Sequence, residues 1–166
     1  MSQPTTIDLD AALAQIPDGY YAVPCPNDPA LMTYWRRTTT STTNALTRWP
    51  AKAAYGPRPP RRSEMPDDRA EWKAILDAWS DRATAYHQRI LTAVLADPAA
   101  AARRFADLRT KCSQCGRPLR DAESKLYAVG PDCRGAMDPA WLAQIRTAEV
   151  GRAHAALTAV SEETIR

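Results

Sequence analysis

The sequence predicts an α+β fold: a small antiparallel sheet, a long amphipathic helix, and a C-terminal zinc knuckle or treble-clef-like module flanked by helices. Three observations carry this. Short β-favouring runs separated by turn residues fill the first third. Apolar residues then recur at spacings of three and four from Trp72 to Leu95. Finally, Cys112, Cys115 and Cys133 fall within a single stretch of 22 residues, about the span of a small metal module.

The elements follow in order. Leu9, Leu13 and Ile16 stand at helical spacing, and Pro17-Asp18-Gly19 ends that short helix. Tyr20–Val23 and Leu31–Thr38 read as strands. The loop between them holds Pro24, Cys25, Pro26 and Pro29. A polar run, Thr38–Asn44, leads to a third strand over Leu46–Tyr55, which Pro50 demotes to an edge or a bulge. Asp67 or Asp68 caps the long helix to about Ala96, and Trp72, Trp79 and Tyr86 are expected to pack it on the sheet. Asp97-Pro98 and Asp138-Pro139 each pair a capping Asp with Pro at the first helical position, so each opens a helix. Trp141, Leu142 and Ile145 share one face of the last helix, and Gly151 weakens its continuation. Within the knuckle, two short strands are expected near 117–120 and 125–128.

These elements divide the chain into an N-terminal α/antiparallel-β segment (1–56) and a Pro/Arg-rich linker (57–67). A helical hairpin (68–111), a zinc-binding module (112–137) and a C-terminal helix (138–166) follow.

Composition excludes several classes. The 166 residues are 45% apolar and 25% charged, ordinary values for a globular protein with a core. No apolar run approaches the roughly 20 residues that span a bilayer, so no membrane partner is expected. The opening residues carry neither a basic nor an apolar signal region, which points to a cytoplasmic protein and away from a disulfide scaffold. Alanine occurs 31 times, and arginine outnumbers lysine 18 to 4, as translation from a GC-rich genome produces.

Cys112-x-x-Cys115-Gly116 is a knuckle pattern. Two thiolates three positions apart converge on one ion, and Gly116 lets the chain turn beneath them. Gly130-Pro131 delivers Cys133 into a short helix. A structural Zn2+ is the expected cofactor. A redox dithiol would need a thioredoxin-like context that the sequence lacks, and a disulfide would need an oxidising compartment. The fourth ligand is open among Cys25, His87, His154, Asp121, Asp132 and water.

The stretch Cys112-x-x-Cys115-Gly116-Arg117-Pro118-Leu119-x-Asp121-x-Glu123-Ser124, continued by Gly130-Pro131-Asp132-Cys133-Arg134, resembles a small zinc-finger-like domain family of unknown function. That family is found in actinobacteria and their phages. Pro17–Pro24, and Asp97-Pro98 with its Ala-rich helix, resemble segments of small phage proteins that end in this domain. Family members commonly have Pro where this chain has Ala122, and Gly where it has Ala128. The resemblance implies a fold and a metal, not a reaction.

Charge is segregated. Residues 31–62 hold seven bases and no acid, and residues 98–120 hold six bases against Asp107. Tyr34, Trp35, Trp49 and Tyr55 interleave with Arg36, Arg37, Arg48 and Lys52, as in surfaces that stack bases and hold phosphates. Arg103, Arg104, Arg109, Lys111, Arg117 and Arg120 crowd the approach to the knuckle. The plainer reading places the aromatics in the core and the arginines on a solvated face. The sequence therefore favours a non-catalytic zinc protein contacting nucleic acid (DNA or RNA), probe-able at Trp35, Arg36, Arg37, Arg48, Lys52, Arg103 and Arg104. The alternative is an adaptor that engages a host protein through the long helix or the Thr-rich loop. No phosphate loop, dinucleotide fingerprint, HExxH or deaminase motif is present, and the two histidines stand 67 positions apart, so an enzyme is not expected.

Overall fold

Alternation along the strands sets the architecture, because successive side chains point to opposite faces of a sheet. The computed structural model describes residues 8–146, 151–153 and 156. Strands β1 (Gly19–Cys25), β2 (Asp28–Thr39) and β3 (Asn44–Arg48) form one antiparallel sheet in that order. Tyr20 pairs with Arg36, Tyr21 with Trp35, and Arg37 with Leu46. Tyr21, Val23, Trp35 and Leu46 face a core shared with Leu13 and Ile16 near α1 (Leu9–Ala14). On the same side lie Tyr86, Ile90, Leu91 and Val94 of α2 (Arg69–Ala96). On the opposite face, Tyr20 and Ala22 pack with Phe105 of α3 (Pro98–Arg109), joined by Met32, Tyr34 and Trp49. Both faces of β1 are covered, which explains five consecutive buried residues from Gly19 to Val23.

The expected fold class is observed, with local corrections. The third strand ends at Arg48 rather than Tyr55, where the chain turns through the cis Trp49-Pro50 bond. The long helix is capped by Asp68, whose carboxylate accepts from the N–H groups of Ala70 and Glu71. Only Tyr86 of the three expected sheet contacts reaches the core. Trp72 lies beneath the Arg62 guanidinium at 4.6 Å, and the Trp79 indole donates to the Pro57 carbonyl at 3.2 Å. The Pro-rich linker, not the sheet, thus lines the first half of α2.

In the knuckle, the expected strand near 125–128 is a helix, α4 (Ala122–Tyr127). Ala, Glu, Lys and Leu favour helix, and the Asp121 side chain caps it by accepting from the Ser124 N–H at 2.7 Å. The stretch near 117–120 contributes one bridge, Lys111 with Pro118. Helices α5 (Pro131–Ala136) and α6 (Pro139–Ile145) follow. Trp141 and Ile145 of α6 enter the same hydrophobic cluster as Cys112, Ala128 and Val129 of the knuckle and Tyr21 of the sheet. Residues 151–153 are helical.

Candidate metal centre and basic face

The knuckle loop closes on backbone bonds. Cys112 N–H donates to the Arg117 carbonyl at 2.8 Å, and Gly116 N–H donates back to the Cys112 carbonyl at 2.8 Å. Gly116 has φ +76°, a conformation open to glycine at little cost. Cys133 sits in the first turn of α5, which Pro131 starts. The loop and the helix bring the three sulfurs within 4.8 Å of one another. Tetrahedral coordination at a Zn–S distance of about 2.3 Å separates sulfurs by roughly 3.8 Å, inside that limit, so the trio is close enough to hold one ion.

The electrostatics fit the same chemistry. Burial pushes the Cys112 thiol up, but the N–H groups of Gly130, Cys115 and Gln114 aimed at its sulfur hold it below its ordinary value overall. Cys133 is pushed up to about 12, by burial first and then by the sulfurs of Cys115 and Cys112. Three adjacent sulfurs do not all carry charge unless a cation neutralises them. The donor set therefore fits a soft or borderline metal ion.

Arg134, which sequence reasoning left out, braces this unit. It donates to the Val129 carbonyl at 2.8 Å and to Ser124 Oγ at 3.3 Å, pairs with Glu123 at 3.6 Å, and lies over the Tyr127 ring. Its place beside Cys133 was the available signal.

None of the four described candidates for a fourth ligand joins the sulfurs. Cys25 lies 3.6 Å from the Tyr86 hydroxyl. His87 stands edge-on to Trp35. Asp121 caps α4, and Asp132 is exposed, 3.9 Å from Arg117. His154 lies outside the described residues.

The seven residues expected to touch nucleic acid separate into three groups. Trp35 is 2% exposed, with its indole N–H bonded to Thr33 Oγ1, so it cannot stack on a base. Arg37 is 3% exposed and donates to Leu13 O, Thr38 O and Asn44 Oδ1. Arg103 and Arg104 are half-buried. Arg103 donates to the Leu126 and Ile145 carbonyls, and Arg104 to the Ala22 carbonyl. Those four are structural. Arg36, Arg48 and Lys52 are exposed. Neighbouring strand positions face opposite ways, so Arg36 could not share a surface with Arg37.

A different basic grouping emerges on the α3-covered face. Arg36 lies 5.5 Å over the Tyr20 ring. Arg109, at the C-terminal end of α3, lies over Tyr34 at 5.1 Å and Trp49 at 5.2 Å. Tyr20 also abuts Gly116, and Lys111 Nζ reaches the Gly116 carbonyl at 3.5 Å. Arg36, Arg109 and Lys111 therefore ring one aromatic cluster beside the knuckle. Among the described residues none of the three has a carboxylate within ion-pair distance.

Residues 102–138 match a family of unknown function, DUF6011. The match spans most of α3 and the whole cysteine module. No curated protein and no solved structure matches the chain significantly. No helix among the described residues is long and apolar enough to cross a membrane.

Proposed function

We propose that this is a non-catalytic accessory protein in which a Zn2+ held by Cys112, Cys115 and Cys133 braces a basic, aromatic surface that contacts nucleic acid. The observation that carries the reading is the pair of guanidinium groups, Arg36 over Tyr20 and Arg109 over Tyr34 and Trp49, with Lys111 beside them at the Gly116 carbonyl and no carboxylate partner for any of the three among the described residues. Guanidinium groups already oriented by rings lose little freedom on meeting phosphate. Arg36 and Arg109, with Lys111, take the place of the buried Trp35 and Arg37. Thiolate ligation calls for a reducing compartment, which supports a cytoplasmic setting. The resemblance and the Ala- and Arg-rich composition support a phage or mobile-element source.

Fluorescence anisotropy with a single-stranded oligonucleotide at several salt concentrations tests this. Affinity should fall by about 0.7 log units per log unit of salt for each phosphate neutralised, and Arg36→Ala with Arg109→Ala should flatten the slope by roughly 1.4. Equal binding by parent and double variant would end the reading.

One observation favours the adaptor alternative. Ile75 and Leu76 on the first half of α2 are 37% and 40% exposed, beyond the reach of the core. Capture of the same host protein from nuclease-treated lysate, lost on Leu76→Asp, would support it.

A further inference from the structure

Cys133 belongs to two features at once. It completes the sulfur trio, and it lines an open groove of about 490 Å³. Gln114, between the two knuckle cysteines, lines the same groove. Met137, Trp141, Asp18, Asp138 and Gln144 line it as well. The groove thus adjoins the sulfur cluster at Cys133.

Three sulfurs satisfy three positions of a four-coordinate ion, and among the described residues no fourth side-chain donor meets them. A divalent ion with three thiolates carries a net charge of −1. A fourth anionic ligand would add charge next to the carboxylate of Asp138, which has no cation within ion-pair distance among the described residues, and this disfavours it. A neutral nitrogen donor adds none. An imidazole that coordinates through one nitrogen also presents an N–H on the other, which needs an acceptor. Gln114, Gln144 and Asp138, whose Oδ1 alone caps α6, line the groove and offer acceptors, while Asp18 is already bonded to Thr39. Its flat ring suits a lining that includes an indole and a thioether.

We infer that the groove bounded by Gln114, Met137, Asp138 and Trp141 is an exchangeable ligand site on the metal, selective for a neutral imidazole-class nitrogen donor. The inference rests on the metal reading above, and the test separates the two. The full chain is loaded with Co2+, whose ligand-field bands report the donor set, while thiolate-to-metal charge transfer reports the sulfurs. One Co2+ per chain with charge transfer is the result expected from the metal reading; its absence overturns both. Given that, added imidazole should shift the ligand-field bands saturably without loss of Co2+, and azide should leave them unchanged. No shift with imidazole overturns the inference while leaving the metal intact. So does an equal response to azide. So does a nitrogen-donor signature already present that His154→Ala abolishes, because the fourth ligand is then internal. Asp138→Asn keeps the oxygen that caps α6 and removes one charge from the groove lining. It should retain the imidazole response and gain a response to azide; a variant as insensitive to azide as the parent would overturn the charge argument for selectivity.

Discussion

Gly116 lies against the ring of Tyr20: a Cβ on Gly116 would come within 2.9 Å of Tyr20 Cζ. That contact joins the knuckle to β1, since Tyr20 is stacked on Phe105 at 5.0 Å and edge-on to Trp49 at 5.7 Å. The ring is buried among these neighbours. A second contact runs alongside, where Tyr20 N–H donates to the Ser113 carbonyl at 2.6 Å. The cysteine module therefore shares one packing unit with the sheet.

Gly116→Ala should accordingly cost about 2–4 kcal/mol, from the left-handed backbone and from overpacking against a held ring. Urea denaturation measures the first effect. Competition with a chromophoric chelator should show weaker metal retention as well. Gly135→Ala is the control. Nothing lies within 4 Å of its Cβ position, and it sits inside α5, so it should be neutral or slightly stabilising.

Arg36 and Arg37 should behave as opposites. Arg37, on the central strand β2, donates to Leu13 O of α1, to Asn44 Oδ1 of β3 and to the neighbouring Thr38 O at 2.7–3.2 Å, at 3% exposure. Arg37→Ala leaves those acceptors without their donor and should lower stability by about 2–4 kcal/mol. Arg36→Ala removes one exposed cation–π contact, about 0.5–1 kcal/mol, and should act on nucleic-acid affinity instead. Equal destabilisation by the two changes in urea would contradict the assignment of Arg37 to the core.

The contrast shows what was legible in the sequence. Helix starts were, because Asp68, Asp97 and Asp138 each place a carboxylate on the first free N–H groups, and Pro98 and Pro139 mark the first turn. The sulfur trio was legible from spacing. The basic face was not. Charge counts along a segment do not say which strand neighbours point together, and one face of β2 packs into the core, so an arginine and a tryptophan are buried there while Arg36 between them is exposed. Helix α4 was missed because its capping Asp121 was weighed as a metal ligand rather than as a helix start.

His87 should set an acid limb of stability. Its pKa is lowered, by burial first and then by Arg48, so the folded chain prefers the neutral ring. The unfolded chain binds the proton more readily, and stability should fall as pH drops through and below about 6.5. His87→Gln should flatten that limb in thermal melts at pH 5–7, while leaving the alkaline limb unchanged. An acid limb of the same slope in the variant would assign it to other groups.

Metal removal should reverse the alkaline behaviour of the protein. In the metal-free chain the Cys133 thiol stays protonated to about 12, whereas in the unfolded chain it ionises near its ordinary value of 9.0. The folded state then binds more protons than the unfolded one over that interval, so stability declines as pH rises from about 9. Cys112 acts with the opposite sign, since its pKa is lowered on folding. Its contribution grows up to the ordinary thiol value and is constant above it, so it does not offset the decline. Tyr21 and Tyr86 also have raised pKa values and add a decline of the same sign above their ordinary 10.0. They do so with or without metal, which makes the difference between the two forms specific to the cysteines. With metal bound the sulfurs are thiolates in the folded state, and proton release on binding makes stability rise with pH from mildly acidic to neutral solution. Melts across pH 6–10 should therefore show loaded and chelated protein diverging, with the gap widening as pH increases. Parallel curves in the two forms would exclude a three-thiolate centre, and Cys133→Ser should collapse the loaded curve onto the chelated one.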